Sequence, residues 1–183
     1  MDEIKILGIP LNFTRLAIII ALTSAFFFCY GLGDAYLFDW DEINFAEASR
    51  EMLASENYLK VQIDYEPFWE KPPLFFWLQV ISYKIFGINE FAARFPNAIA
   101  GILSLLAIFG IGKQLNGIRF GIFWVLAMAG SILPSFYYRT GILDPLLNLL
   151  IFLGIFFLYK YYEHFEERNK KHQFVILAGI ITG

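Results

Sequence analysis

The sequence predicts an all-α, polytopic transmembrane helix bundle, and three observations support this fold class. The chain of 183 residues is 58% hydrophobic and only 17% charged, whereas soluble domains are nearer half apolar and a quarter charged. Its apolar residues fall in long runs of near-transmembrane length. Its acidic residues are concentrated between two of these runs, since residues 34–94 contain eleven of the 17 acids. We expect a single transmembrane domain over residues 1–183.

Five apolar segments account for the predicted spans. Residues 16–32, 95–112, 120–138 and 145–162 approach the roughly 20 residues that a helix needs to cross a bilayer. A fifth segment, 174–183, begins another span and covers about 15 Å, or half a membrane. We therefore expect the chain to be the N-terminal part of a longer protein.

Residue types inside the predicted spans fit membrane helices. The second span is rich in glycine and alanine, which suits close helix packing in lipid. The third span contains Pro134, which predicts a kink there. The fourth ends in Tyr159, Tyr161 and Tyr162, as helices do at the membrane interface.

Two further helices are predicted within the polar stretch 34–94. Residues 42–55 form an amphipathic pattern, with Ile43 and Met52 on the apolar side. Residues 74–86 are apolar almost all round but too short to span a membrane. We expect this second helix to lie in the interface or against the bundle.

The distribution of charge predicts the orientation. If residues 74–86 do not cross the membrane, the basic residues of the N-terminus and of the connections 113–119 and 163–173 all fall on one side of it. This is the positive-inside pattern, and it places residues 34–94 and Asp144 outside.

Asp41 and Glu42 begin the first of the two loop helices. One interpretation is structural: Asp41 caps the helix and Glu42 complements its dipole. The other is that these carboxylates supply a general base or a metal ligand for attack on an anomeric carbon. Both interpretations remain open from the sequence, because a cap also fixes the position of a carboxylate.

Glu70 and Lys71 precede the two prolines at positions 72 and 73. The prolines are typical of a helix start, but they do not explain an acid and a base beside Trp69 in apolar surroundings. Lys71 is a candidate phosphate ligand and Glu70 a candidate ligand of a divalent metal ion.

Asp144-Pro145 is a common helix start, with aspartate as the cap and proline as the first helical residue. Arg139 lies on the predicted outer face against the charge trend, where it is a candidate partner for Asp144 or for a phosphate. His164 and His172 are interpreted as solvated residues of the inner loop.

A group on the first loop helix is interpreted as structural. Glu47, Arg50 and Glu51 are expected to form a local ion pair on the helix face.

These patterns, taken in order, resemble one family: the polyprenyl-phosphate-sugar-dependent glycosyltransferases of the GT-C fold. The family includes protein O-mannosyltransferases and 4-amino-4-deoxy-L-arabinose transferases that modify lipid A. The resemblance extends over residues 34–183 and is carried by an ordered set of motifs. These are Asp41-Glu42-x-x-Phe-Ala-Glu-Ala-Ser-Arg-Glu-Met-Leu-Ala-Ser, Glu70-Lys71-Pro72-Pro73, Phe86-Gly87-x-x-Glu90-Phe91-x-x-Arg94 and Leu143-Asp144-Pro145.

The resemblance implies an active site at the outer membrane face. There a polyprenyl-phosphate-linked donor would give up its sugar to a lipid, glycan or protein acceptor. Asp41 matches an essential loop aspartate of the family, and Asp144 matches the aspartate of its second outer loop. Glu70 and Lys71 match metal-ligand and phosphate-contacting positions. Phe45 stands at a substrate-binding position where the family often has tyrosine.

The same resemblance implies a multi-pass protein of the bacterial cytoplasmic membrane, in contact with membrane lipid and without a nucleic-acid partner. Two other classes remain open from the residues alone. A proton- or ion-coupled transporter fragment would also contain carboxylates, although these usually lie near the bilayer midplane. A non-catalytic membrane scaffold would retain the fold without the chemistry.

Overall fold

The computed structural model describes residues 4–6, 9–38, 40–163 and 171–182. The chain divides into two compact units, Met1–Pro145 and Leu146–Gly183. The described residues are mainly α-helical, with two short β-hairpins that the sequence did not predict.

The first unit begins with strands β1 (Ile4–Ile6) and β2 (Ile9–Leu11), which pair in antiparallel register, and continues into helix α1 (Phe13–Cys29). The side chain of Asn12 caps α1 by accepting a hydrogen bond from the Arg15 backbone N–H at 3.0 Å. The predicted span 16–32 is therefore present but shifted toward the N-terminus. It ends early because the chain turns after Cys29, where Gly31 has a φ of +64°.

Helix α2 (Asp41–Ala54) follows a connecting loop, and helix α3 (Leu74–Phe86) lies before the second span. Between them strands β3 (Gln62–Ile63) and β4 (Glu66–Pro67) form a two-residue hairpin. The α3 bounds agree with the predicted helix 74–86. The predicted helix 42–55 begins and ends one residue earlier than expected.

The buried face of α2 differs from the predicted one. Phe45 of α2 contacts Phe75 and Phe76 of α3 edge-to-face, with ring centroids 6.3 and 5.6 Å apart. Ile43, predicted on the apolar side, is 43% exposed, whereas Glu51, predicted among the polar positions, is 1% exposed. The prediction was wrong at both positions because α2 is covered on more than one side, which a two-sided amphipathic pattern does not anticipate.

Helix α4 (Glu90–Gly130) consists of two helical segments, 90–115 and 118–130, broken at Asn116 and Gly117. A Cβ atom added to Gly112 would lie 2.7 Å from the Cα atom of Gly121. Nine residues of continuous helix would separate these two positions by about 13 Å, so the segments fold back on each other. Their close contact depends on small residues, and the reversal falls inside the predicted connection 113–119.

The predicted third span, 120–138, is interrupted. The second segment of α4 ends at Gly130, Ser131 is extended, and the short helix α5 (Ile132–Tyr137) begins immediately afterwards. The prediction of one helix kinked at Pro134 was therefore wrong. Pro134 is the third residue of α5, where its missing N–H has no helical acceptor to satisfy.

Helix α6 (Asp144–Glu163) begins at the end of the first unit, and with α7 (Lys171–Thr182) it provides the described helices of the second unit. These helices correspond to the predicted spans 145–162 and 174–183. Residues 164–170, with His164 and most of the predicted inner loop, lie outside the described residues, as does the side chain of His172.

Among the described helices, α4 and α6 are long and apolar enough to cross a membrane. Helices α1 and α3 are apolar but shorter, with 17 and 13 residues. The interfacial position of α3 stays a prediction. The predicted orientation of the loops stays a prediction.

Candidate active site

A buried ion pair joins the N-terminal ends of two helices. Glu42 lies at the start of α2 and Arg94 at the start of α4, and both residues are 2% exposed. The Nε atom of Arg94 donates to Oε1 of Glu42 at 2.8 Å, and its Nη2 atom donates to Oε2 at 3.0 Å. This two-bond geometry fixes the guanidinium and the carboxylate in one plane.

Arg94 also binds the loop that follows α1. Its Nη1 atom donates to the carbonyl oxygens of Leu32 and Ala35, and its Nη2 atom donates to that of Tyr36. Together with the two bonds to Glu42, these contacts use all five N–H groups of the guanidinium. The ion pair is therefore a fully hydrogen-bonded joint between the loop, α2 and α4.

The other acceptor positions of Glu42 are filled by backbone amides. Phe38 donates to Oε2 at 2.6 Å, and Gly141 donates to Oε1 at 2.5 Å. In addition, the Nδ2 atom of Asn97 donates to the carbonyl oxygens of Thr140 and Ile142, each at 2.6 Å. The segment 140–142 is thus held against the beginning of α2 and α4.

This joint places the predicted aspartates at one end of the first unit. Asp41 directly precedes Glu42, and Asp144 follows Gly141 by three residues, so both come from segments that share the Glu42 carboxylate. Both aspartates are exposed. The structure therefore holds the segment before α6 against Glu42 of α2, and both aspartates remain accessible.

Asp41 is not the N-cap that the structural interpretation predicted. The N-cap of α2 is Trp40, with φ +71° and ψ −108°, and Asp41 is the first helical residue. Helix α6 begins at Asp144 itself, one residue before the predicted start, a difference within the usual uncertainty of helix ends. Asp41 still complements the dipole of α2, because it lies in the first turn.

Glu70 and Lys71 lie in the bend between β4 and α3, where Glu70 is exposed and Lys71 is half-buried. In the described part of the chain, no three His, Cys, Asp or Glu side chains converge on a position that could hold a metal ion. This donor set does not fit a site in which several side chains of the described chain coordinate the metal. The divalent metal and the role of Glu70 as its ligand stay predictions, and no step below depends on them.

Phe45, the predicted substrate contact, is buried in the aromatic cluster with Phe75 and Phe76 and is 2% exposed. In this position its ring fills the space between α2 and α3. The geometry supports a packing role for the residue, and substrate contact stays a prediction.

The group formed by Glu47, Arg50 and Glu51 divides into two. Glu47 and Arg50 pair at 2.5 Å on the surface, as predicted, and the hydrogen bond from Arg50 lowers the pKa of the Glu47 carboxyl. Within the described residues, Glu51 takes no part in this ion pair. Its carboxylate accepts the backbone N–H groups of Asp64 and Tyr65, each at 2.8 Å.

Arg139 borders an open cavity of about 370 Å³ between the end of α1, the following loop and α5. The Nη2 atom of Arg139 donates to the Tyr30 carbonyl oxygen at 2.7 Å. This bond uses one of the five N–H groups of the guanidinium. Within the described part of the chain, other N–H groups of Arg139 keep the capacity to donate to a ligand. The apolar lining consists mainly of Phe27, Leu32, Phe38, Ile132 and Phe136.

The sequence interpretation did not assign a role to three buried polar residues of the site, Arg94, Asn97 and Gln79. Gln79 accepts from the Ser49 hydroxyl at 2.7 Å and donates to the Ala93 carbonyl at 2.9 Å. The usable signal was a strongly polar residue inside an apolar helical run, because such a side chain is expensive to bury without partners.

Comparison with known proteins places this architecture in a family. Residues 70–183 match the family model described as dolichyl-phosphate-mannose-protein mannosyltransferase. The chain is 32% identical over 136 residues to the undecaprenyl phosphate-alpha-4-amino-4-deoxy-L-arabinose arabinosyl transferase 2 of Proteus mirabilis strain HI4320, covering 74% of this chain and 25% of that protein. The transferase of this type from Shewanella sediminis strain HAW-EB3 is 26% identical over 180 residues, covering 98% and 31%. The chain spans about a quarter to a third of the length of these relatives.

Solved structures show the same fold. The crystal structure of ArnT from Cupriavidus metallidurans in the apo state superposes with a TM-score of 0.78 at 25% identity, covering 90% of this chain and 30% of ArnT. The structure of that protein bound to undecaprenyl phosphate gives a TM-score of 0.73 at 26% identity, covering 80% and 27%. These similarities confirm the predicted GT-C-like bundle and the predicted resemblance.

Proposed function

Because this chain belongs to the dolichyl-phosphate-mannose-protein mannosyltransferase family, we propose that it forms part of a membrane glycosyltransferase. The enzyme would move a sugar from a polyprenyl-phosphate donor to a lipid, glycan or protein acceptor. The relatives named for 4-amino-4-deoxy-L-arabinose transfer from undecaprenyl phosphate favour a pentose donor of this kind. Lipid A of the bacterial envelope is then the preferred acceptor.

The observation that carries this proposal is the combination of features at one end of the first unit. Two exposed carboxylates, Asp41 and Asp144, come from segments that are joined through the Glu42 carboxylate. Beside that joint lies a mainly apolar cavity that Arg139 borders. A polyprenyl phosphate needs these elements, because its tail is apolar, its head is anionic and its sugar must meet an activating group.

The backbone before Asp41 offers independent support. Trp40 has a φ of +71°, which is costly for a residue with a side chain. Such conformations persist where the surrounding structure holds them and occur often at functional sites. Here the unusual turn directs the chain into α2 and leaves the Asp41 carboxylate exposed.

The proposed reaction is a displacement at the anomeric carbon of the donor sugar. An acceptor oxygen forms the new bond to that carbon while the bond to the phosphate oxygen breaks, and the phosphate leaves with the electron pair. Lys71 stabilises the leaving phosphate. Asp41 takes the proton of an acceptor hydroxyl, or orients a phosphate acceptor that needs no base.

The remaining residues act around this centre. Asp144 supplies the second exposed carboxylate, and Arg139 binds the anionic end of the lipid in the cavity. The sequence pointed to Glu42 as a catalytic carboxylate; we assign it a positioning role instead, because its carboxylate is buried and occupied by Arg94, Phe38 and Gly141.

For the orientation we propose that residues 34–94 and Asp144 lie on the outer face of the bacterial cytoplasmic membrane. Single cysteines introduced at Asn57 and at Leu115, in a background with Cys29 replaced by serine, test this topology. An impermeant maleimide is expected to label position 57 from outside and position 115 only after permeabilisation. Labelling of both positions from the same side would contradict it.

Lys71→Met tests the donor contact. A hydrogen bond between charged groups contributes about 1.5–3 kcal/mol, so the affinity for undecaprenyl phosphate should fall by about 10- to 100-fold. The protein is purified in nanodiscs, and binding is followed by thermophoresis, with Lys60→Met as the control for loss of one positive charge in the same loop. Unchanged binding in Lys71→Met, or an equal loss in both variants, would overturn the assignment.

A further inference from the structure

We propose that Glu51 is a positioning residue for the donor-phosphate contact: its buried carboxylate holds the β3–β4 turn and thereby sets the location of Lys71. This inference rests on the proposed function for the role of Lys71. The link between Glu51 and the turn is a property of the fold and can be tested separately.

Glu51 is an unusual buried acid. It is 1% exposed, and within the described residues its carboxylate faces two backbone N–H groups instead of a cation. These donors belong to Asp64 and Tyr65, each with an N–O distance of 2.8 Å. Each oxygen of the carboxylate takes one amide, so the contact is a specific clamp across 13 and 14 residues of sequence.

The turn held by this clamp is not stable by its own sequence. Asp64 and Tyr65 are the two central residues of the hairpin, since Ile63 pairs with Glu66. Their φ angles are +54° and +62°, as in a type I′ turn, for which Asn-Gly is the preferred sequence. An aspartate followed by a tyrosine lacks the glycine that makes this geometry easy. We infer that the carboxylate of Glu51 supplies the stabilisation that the local sequence does not.

The hairpin leads directly to Lys71. The Phe68 backbone N–H donates to the Val61 carbonyl oxygen at 2.8 Å, which extends the pairing beyond β4. On the other side, α3 starts at Leu74 after two prolines that restrict the chain. Lys71 lies in the short bend between these two fixed points. Displacement of the hairpin therefore moves the lysine.

The clamp itself is tested with Glu51→Gln and hydrogen exchange. The glutamine amide retains one acceptor oxygen, but its NH₂ group opposes the second backbone N–H. Exchange in peptides that cover residues 60–68 should become at least about 10-fold faster. Glu56→Gln is the matched control, because it removes the charge of an exposed glutamate five residues later in the chain, and it should leave exchange in these peptides unchanged.

The consequence for the donor is tested with undecaprenyl phosphate as the probe. Glu51→Gln should weaken its binding by about 10-fold or more, while Glu56→Gln should bind as the unchanged protein does. A turn that needs no clamp should rescue the defect. Adding Asp64→Asn and Tyr65→Gly to Glu51→Gln supplies the preferred I′ sequence and should restore affinity to within about threefold.

The outcomes separate the possible failures. Unchanged exchange in Glu51→Gln, unchanged affinity, or a loss that the Asn-Gly turn does not rescue would each overturn the inference. If Glu51→Gln does not fold, recovery of folding and binding by the Asn-Gly turn supports it, and continued failure overturns it. If Lys71→Met binds undecaprenyl phosphate normally, the proposed donor contact fails instead, and the exchange result still decides whether the clamp exists.

Discussion

Asp41 and Glu42 are neighbours in sequence, but the structure gives them opposite surroundings. Asp41 is exposed at the start of α2, whereas Glu42 is 2% exposed and receives hydrogen bonds from Arg94, Phe38 and Gly141. Successive residues of a helix point about 100° apart, so one carboxylate faces outward and the other faces the bundle. The comparison teaches that two neighbouring acids of one motif can divide into an accessible carboxylate and a buried joint that fixes the start of the helix.

The two arginine–glutamate pairs that include a glutamate of α2 repeat this contrast. Arg94 and Glu42 are buried, with side chains 3% and 1% exposed, whereas Arg50 and Glu47 are each 38% exposed. Removing one partner of a buried pair leaves an uncompensated charge, while an exposed partner is solvated by water. Burial, more than pairing, therefore determines how much each pair matters to the fold.

The largest expected effect follows from this contrast. Arg94→Met should lower the free energy of unfolding by about 3–5 kcal/mol, because the buried Glu42 carboxylate loses its cation. Arg50→Met makes the same substitution in the exposed pair and should cost about 0–1 kcal/mol. Both are measured by chemical unfolding in detergent micelles. Equal losses in the two variants would contradict the distinction between a structural joint and a surface pair.

A smaller effect is expected from the amide that fixes the segment before Asp144. Asn97→Ala removes the donor shared by the Thr140 and Ile142 carbonyl oxygens, which should cost about 1–3 kcal/mol of stability. Asn57→Ala, which alters an exposed amide, should change stability by no more than about 0.5 kcal/mol. Thermal unfolding in the same detergent checks both, and an unchanged melting temperature for Asn97→Ala would show that this contact does not hold the segment.

Local signals explain what the sequence predicted well. The two prolines before Leu74 and Gly87 after Phe86 bracket α3 and give its bounds. Long apolar runs likewise predicted α1, α4 and α6. The sequence did not predict the break at Gly130 and Ser131. The run around these two residues is apolar throughout, and Pro134, three positions later, pointed to a kink at the wrong place.

The site was only partly predictable because its joints link residues that are far apart in sequence. Glu42 and Arg94 are separated by 52 positions, and Glu42 and Gly141 by 99. No periodic pattern in the sequence indicates contacts of this kind. The sequence therefore identified the carboxylates of the site but did not indicate which of them is buried. Glu51 was misassigned for the same reason, since a glutamate next to Arg50 resembles a local pair while its partners lie in a later turn.

The central claim is that Asp41 serves chemistry while Glu42 serves structure, and Asp41→Asn tests it most directly. The variant is expressed in the complete enzyme, and sugar transfer from an undecaprenyl-phosphate-linked donor is measured together with unfolding. Loss of a general base or of a stabilising charge should reduce turnover by about 100- to 10,000-fold. Stability should change by no more than about 0.5 kcal/mol, as for other exposed positions. Near-normal turnover would contradict the claim, and so would a loss of stability as large as that expected for Arg94→Met.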